Sequence, residues 1–344
     1  MNKINWGIIG LGNIANKFAE GFVSVDNASI KGVSSKNKDK LNLFKENFNI
    51  EDKFCFNDYN DLISCPEIDI IYIALPNSLH SFYINECLKN KKNVLVEKPA
   101  FLNFKDYNLT KKILINEKIY FTEGFMYRHL PYIKKLKEII NSNILGKVTK
   151  IESVFNIRVF KQKKFFGIKF KKPDYSNRLF NKELGGGAIL DVGCYPLSLG
   201  TLINSLSYNV NLENIKLIKS RTLYCDSKVD IFSEAEFNFD NKFNSKITCS
   251  FKDKLNQSSK IYFEHGHLDI YETWVPGKNM TIEMTNRNEK TQINFKNNDN
   301  IYSYQIINIS EQILGKKVEA NFPSISINEI GINTKLLEDW INYK

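Results

Sequence analysis

Ile4-Asn5-Trp6-Gly7-Ile8-Ile9-Gly10-Leu11-Gly12-Asn13-Ile14-Ala15 is the stretch on which the fold turns. A short apolar run, residues 4–9, leads directly into two glycines two positions apart, and Phe18 and Phe22 follow at helical spacing. A strand that ends in a Gly-rich turn and opens a helix is the context of the dinucleotide-binding fingerprint. Gly10 permits the tight turn, Gly12 lets a pyrophosphate approach the backbone, and Ala15 lets helix and strand pack closely. The first N–H groups of the helix, around Asn13 and Ile14, then present the positive end of the helix dipole to phosphates. The same residues also fit a tight turn before a purely structural helix.

The alternation continues through residue 125. Strand-like segments at 29–34, 69–75, 94–96 and 119–122 alternate with helical ones, including a polar helix over 38–47 and one beginning near Ser78. Asp69-Ile70-Ile71-Tyr72-Ile73-Ala74-Leu75 is nearly all apolar, as a parallel strand covered on both faces should be. Strands separated by helices imply right-handed βαβ connections and a doubly wound parallel sheet over 1–125. Beyond Glu123-Gly124-Phe125 the period changes. Alternating segments at 148–159, 231–239, 243–251, 261–263 and 268–271, with turn chemistry at Asp240-Asn241 and Glu264-His265-Gly266, point to an antiparallel sheet. Helices are expected over 131–140, 187–202 and 328–342. The second domain, 126–344, is thus read as α/β with a large, mostly antiparallel sheet, and its last helix is a candidate to pack back on the first domain.

At 344 residues the chain exceeds one ordinary hydrophobic core, and 42% hydrophobic with 25% charged residues describes a globular protein, not a disordered one. Lys and Arg number 48 against 38 Asp and Glu, a net charge of +10. That excess fits a nucleic-acid surface, an anionic substrate or general lysine richness. Only the basic and aromatic stretch 161–172 offers single-stranded nucleic acid a foothold. No nucleic-acid module accompanies it, so a substrate-cleft loop is the better fit and no nucleic-acid partner is expected. No run reaches the roughly 18 apolar residues of a membrane span, and the start lacks a signal peptide's apolar core, so no membrane is expected. Six scattered cysteines without a Cys-x-x-Cys pair suggest reduced thiols in the cytoplasm. His265-Gly266-His267 falls at an expected hairpin turn with no third ligand nearby, so no metal site is expected.

The end of the second strand bears on which dinucleotide binds. An Asp or Glu there would hold both ribose hydroxyls of NAD. This chain has Ser34-Ser35-Lys36-Asn37-Lys38 instead. Ser35 can donate to a 2′-phosphate and Lys36 can neutralise it, which favours NADP(H), with NAD(H) left open. Pro76-Asn77 and Glu97-Lys98-Pro99 stand at the C-terminal ends of two parallel strands, the edge at which ligands of open α/β sheets bind. Pro99 restricts Lys98 to extended backbone, aiming its side chain out of the strand.

Five segments together resemble the Gfo/Idh/MocA oxidoreductases. They are Gly10-x-Gly12-x-x-Ala15, Ala74-Leu75-Pro76-Asn77-Ser78-Leu79-His80, Glu97-Lys98-Pro99, Glu123-Gly124-Phe125-Met126-Tyr127-Arg128 and Gly185-Gly186-Gly187-Ala188-Ile189-Leu190-Asp191-Val192-Gly193-Cys194-Tyr195-Pro196. The resemblance implies an N-terminal Rossmann domain, a C-terminal α/β domain whose sheet forms a homodimer or homotetramer, and an active site between domains. It implies Lys98 as the catalytic lysine, with Asp191 and Tyr195 as the polar pair facing substrate. Tyrosine at 195 is similar to the dihydrodiol dehydrogenase, glucose–fructose oxidoreductase and aldose dehydrogenase branch. His80 occupies a slot the family gives to histidine, which implies a supporting cofactor role, and Arg128 is expected to bind cofactor or hold the interdomain joint.

The chemistry fits these residue types. Hydride transfer at a carbinol carbon needs a base for the hydroxyl proton, and the reverse reduction needs an acid. Lysine and tyrosine both start near pKa ~10, and an adjacent positive charge lowers a phenol. Asp191 and Tyr195, four apart, would share a helix face. From the residues alone, Asp191 equally suits a helix N-cap and Tyr195 a packed aromatic. Arg178 lies a few residues before the glycine run and is a candidate to reach substrate, as is the 161–172 loop; a structural role suits His129. The expected substrate is a sugar or cyclic polyol, with a phosphorylated or acidic one left open. A catalytically silent NADP-sensing regulator, and a glycosidase-like member using bound cofactor for transient oxidation, stay open as alternatives.

Overall fold

The first sheet has six parallel strands: β1 (Ile4–Ile9), β2 (Ala28–Ser34), β3 (Cys55–Phe56), β4 (Ile70–Ile73), β5 (Asn93–Val96) and β6 (Phe121–Glu123), in the order β3-β2-β1-β4-β5-β6. The structure is a computed structural model and describes residues 3–165, 168–252, 257–298 and 300–343, with backbone only over 161–172. The strand order reverses between β2-β1 and β4, which puts the topological switch, and with it the ligand edge, at the ends of β1 and β4. All four residues of β4 are buried, as the apolar run requires.

By Cα proximity the chain divides into two compact units, 1–130 with 298–331, and 131–297 with 332–344. Residues 298–331 therefore join the first unit, although sequence patterning leaves them with the second. Their helix Tyr302–Leu314, invisible in the sequence reading, packs beside β1, where Ser310 Oγ accepts a hydrogen bond from Trp6 Nε1 at 3.1 Å.

The second unit is built on β7 (Val148–Asn156), β8 (Lys161–Phe165), β9 (Ile168–Lys172), β10 (Ile215–Tyr224), β11 (Asp230–Phe239), β12 (Phe243–Ser250), β13 (Ser258–Phe263), β14 (Gly266–Tyr271), β15 (Asn279–Asn286) and β16 (Glu289–Lys296). Eight of them form one sheet in the order β10-β11-β12-β7-β13-β14-β15-β16, antiparallel except for the β12–β7 pair. Among the described residues, β8 and β9 pair only with each other. The 161–172 segment is thus a two-stranded ladder and not a loop; its side chains, the basis of the substrate-loop expectation, lie outside the described residues.

The helix Cys194–Ser207 is the core helix of this unit, with Leu197, Leu199, Leu202 and Ile203 fully buried. Counting apolar residues alone missed that the helical stretch Lys182–Ser207 is long and apolar enough to cross a membrane. Of its apolar window 89% is buried inside the protein, so it reads as core.

Candidate active site

At the end of β1 the chain turns through Gly10, whose φ of +86° lies in the left-handed region. A Cβ there would also stand 2.6 Å from the Ala74 carbonyl oxygen, so conformation and space both demand glycine. Gly12 caps the helix Asn13–Glu20 with no side-chain hydrogen bond, and that helix has no acidic residue in its first turn. A Cβ on Gly12 would meet nothing within 4 Å. A helix N-terminus with open space beside Gly12 and no carboxylate in its first turn fits a pyrophosphate. Asn13 is exposed and Ile14 half-buried at this mouth, while Ala15 is fully buried against the sheet.

Past β2, buried Ser35 accepts a hydrogen bond from the Asn37 N–H at 3.1 Å, which leaves its hydroxyl proton to donate. Lys36 is exposed, its Nζ 5.6 Å from the Tyr59 ring centroid. A donor and a cation at this strand end fit a ribose 2′-phosphate.

The neighbouring strands deliver the rest of the edge. Pro76 and buried Asn77 follow β4; half-buried Glu97 and Lys98 follow β5, and the Lys98–Pro99 peptide is cis. Glu97 Oε1 accepts from the Tyr72 hydroxyl at 2.5 Å, and Tyr72 stacks on Phe18 with ring centroids 3.9 Å apart. His80 is fully buried, with Nδ1 2.8 Å from the Pro99 carbonyl oxygen and Nε2 2.9 Å from that of Leu75. At the end of β6, buried Glu123 accepts from the Ala100 N–H at 2.8 Å. Burial pushes its carboxyl up to about 7, against the opposing pull of the Ala100 N–H, Arg128 and Lys98.

In the second unit, the glycine run ends at Gly187, whose φ of +125° only glycine adopts readily. A Cβ at Gly187 would stand 2.2 Å from Asp230 Oδ1. The Asp230 carboxylate instead accepts from the Ile189 N–H at 2.7 Å, at the start of a π-helical turn, Ile189–Gly193, that runs into the core helix. Burial holds Asp230 up at about 6, with the Ile189 and Ala188 N–H groups pulling the other way. Asp191 sits in this turn and Tyr195 one turn on. Tyr195 is 6% exposed and makes edge contacts with Phe155 at 5.0 Å and Trp274 at 6.0 Å between centroids. Arg178 Nη2 lies 3.7 Å from Asp191 Oδ1.

Comparison with known proteins bears directly on both units. Residues 4–125 match the family model described as the oxidoreductase family, NAD-binding Rossmann fold, of the GFO/IDH/MocA group, and residues 133–269 match the GFO/IDH/MocA C-terminal domain. The chain belongs to the Gfo/Idh/MocA oxidoreductase family.

Relatives of this Gfo/Idh/MocA chain run its full length. It is 23% identical over 334 residues to a trans-1,2-dihydrobenzene-1,2-diol dehydrogenase of Xenopus tropicalis, covering 94% of each chain. The crystal structure of an aldose–aldose oxidoreductase from Caulobacter crescentus complexed with glycerol superposes with a TM-score of 0.83 at 17% identity, over 98% of this chain and 96% of that one. A 3-ketoreductase from Actinomadura kijaniata, solved with NADP and TDP-benzene, gives 0.82 at 19% identity, over 98% and 97%. At these identities the structures report the fold.

The expected site residues meet defined partners in this Gfo/Idh/MocA chain. The Arg128 guanidinium is buried and bonds within its own unit, to the Pro323 carbonyl oxygen at 3.2 Å and Glu329 Oε1 at 3.1 Å. His80, expected at the cofactor, turns both ring nitrogens to backbone carbonyls. Asp191 is not the helix cap, because Asp230 takes that part. The turn holding Asp191 is wider than an α-helix, a local insertion often found at functional sites. Arg178 meets Asp191, and His267 pairs with Asp269 at 3.2 Å. Sequence reasoning assigned no role to Glu123, Asp230, Phe155 or Trp274. A carboxylate closing a buried parallel strand was the signal available for Glu123.

Proposed function

We propose that this chain is an NADP-preferring dehydrogenase or reductase acting on a carbinol or carbonyl carbon of a sugar or cyclic polyol. The observation that carries it is the ligand edge of the first sheet. There an uncapped glycine mouth for a pyrophosphate, a carboxylate-free strand end with Ser35 and Lys36, and Lys98 beyond a buried strand occur together. Gly10, Gly12, Asn13, Ile14 and Ala15 would cradle the dinucleotide, with Pro76, Asn77 and Glu97 along its nicotinamide half. When bound, the nicotinamide supplies or takes the hydride.

The chain's own groups handle the proton and the fit. Lys98 holds its ammonium at the reacting oxygen, stabilising developing negative charge there. The Tyr195 hydroxyl takes or returns the proton on that oxygen, and its aromatic surroundings, Phe155 and Trp274, keep bulk water from the phenol. Asp191 accepts hydrogen bonds from substrate hydroxyls, with Arg178 holding its carboxylate. The sugar-active names among its relatives support the substrate class. All six cysteines are free thiols, which supports a cytoplasmic setting. The reading includes a homo-oligomer formed through the eight-stranded sheet, whose strands carry exposed Ile218, Leu223, Tyr224 and Tyr271.

The test is a panel of aldoses, inositols and sugar nucleotides, read by nicotinamide absorbance with NADP and NAD in parallel. NADP-linked turnover of at least one polyol or aldose is expected. Tight NADP binding with no turnover across the panel replaces this reading with that of a cofactor-sensing regulator.

A further inference from the structure

Two buried ionisable side chains hold the two ends of one peptide unit, and that unit follows Lys98 by a single residue. The Pro99–Ala100 peptide presents its carbonyl oxygen to His80 Nδ1 at 2.8 Å and its N–H to Glu123 Oε1 at 2.8 Å. His80 is 0% exposed and Glu123 3%. The second ring nitrogen of His80, Nε2, faces the Leu75 carbonyl oxygen at 2.9 Å. Carbonyl oxygens only accept, so an imidazole that hydrogen-bonds both must carry a proton on each nitrogen. In a neutral ring, one lone pair would face an oxygen lone pair with both groups buried.

We propose that His80 and Glu123 are paired positioning residues for Lys98: an imidazolium and a carboxylate, linked through the Pro99–Ala100 peptide, that lock the backbone from which Lys98 acts. The proposal rests on the reading of Lys98 as the group at the reacting oxygen.

The peptide joins the two charges through Glu123 Oε1, while Glu123 Oε2 is buried with no hydrogen-bond partner among the described residues. A buried imidazolium alone, or a buried carboxylate alone, is costly. Here the peptide's oxygen points to the cation and its N–H to the anion, so its dipole stabilises both charges and polarises with them. The Leu75 carbonyl ties the same cation to the loop that presents Pro76 and Asn77. One ring thus couples the ends of β4 and β5, and Glu123 adds the end of β6. The other charges acting on Glu123 are Lys98 and Arg128, which favour its ionised form, and Glu97, which opposes it. Arg128 is shared with Glu329. With the Glu123 carboxyl titrating at about 7, the anion is in place at pH 8 and lost on acidification. The grip on Lys98 therefore weakens as pH falls through that value.

The experiment uses full-length protein labelled with 15N in its histidine rings, loaded with NADP at pH 8. There are four histidines, and the His80 signals are those missing in His80→Gln. Both His80 ring nitrogens are expected to be protonated, and in Glu123→Gln, which keeps an acceptor oxygen for Ala100 but no charge, one of those protons is expected to be lost. A single protonated nitrogen in the wild type, or a pattern unchanged in Glu123→Gln, overturns the proposal.

Turnover on the best substrate of the panel gives the second readout. Glu123→Gln is expected to lower kcat at pH 8 by about tenfold or more, to abolish the fall in kcat below pH 7, and to leave NADP affinity within about twofold. An unchanged kcat and pH profile overturn the proposal. If Glu123→Gln does not fold, His80→Gln takes its place in the kcat measurement. Failure of Lys98→Met to reduce turnover would sink the reading of Lys98 while leaving the His80 protonation result standing, so the two failures are separable.

Discussion

Asp230, the first residue of β11, accepts a hydrogen bond from the Ile189 N–H at 2.7 Å and so pins the start of the turn that carries Asp191. It does the work of an N-cap from 41 residues away. The carboxylate is buried and pushed up to about 6, so burial, not hydrogen bonding, dominates its energetics. Asp230→Asn, neutral and still an acceptor, is expected to hold or gain thermal stability at pH 7.5. Asp230→Ala should lose about 1–2 kcal/mol, the usual cost of a lost cap. Urea unfolding of both variants checks the order; equal stability of the two would contradict it.

Gly10→Ala combines a left-handed φ with a Cβ 2.6 Å from the Ala74 carbonyl oxygen. Strain of about 1–3 kcal/mol is expected, with loss of NADP binding beyond the loss of stability. Gly12→Ala meets no protein atom within 4 Å, so it should fold normally and lose only cofactor affinity. Thermal shift with and without NADP separates the two cases.

Lys36→Glu puts a carboxylate where the second strand ends. NADP affinity should fall tenfold or more relative to NAD, about 1.4 kcal/mol of preference. Fluorescence titration with each cofactor reads it, and a wild type that itself prefers NAD would overturn the assignment of Ser35 and Lys36.

Glu123 also sets a stability profile. Its folded pKa of about 7 is raised above the ordinary carboxyl value of 4.5, so the folded state keeps this proton where the unfolded chain has lost it. Stability from this group is fully present below about 4.5 and declines as pH rises to about 7, by an amount on the order of a few kcal/mol. Glu123→Gln should remove that decline, making the variant less pH-dependent in denaturant melts between pH 5 and 8. The variant would then be more stable at pH 8 while turning over more slowly.

The first unit was largely legible because its constraints are local. A run such as Ile70–Ile73, buried on both sides, admits little but apolar residues, and the turn at Gly10 admits only glycine. β15 and β16 escaped the reading because they are rich in polar residues: β15 buries only Met280 and Ile282, and β16 has no buried residue. The helix Tyr302–Leu314 escaped because its packing partner, Trp6, lies 304 residues away from Ser310. The site followed the same rule. Lys98, Asp191 and Tyr195 stand in contiguous motifs, whereas the part played by Glu123 depends on the Ala100 N–H, 23 residues distant, and on the parallel pairing of β5 with β6. The charge on Arg128 was visible, but its destination at Glu329 was not.

The central claim is that Lys98 acts at the reacting oxygen, and turnover by Lys98→Met under saturating NADP and substrate tests it most directly. Methionine matches the lysine side chain as far as its ε carbon and removes the ammonium group. The account predicts a loss of kcat of about 100-fold or more with NADP affinity essentially unchanged. Turnover within a factor of about three of wild type would contradict it.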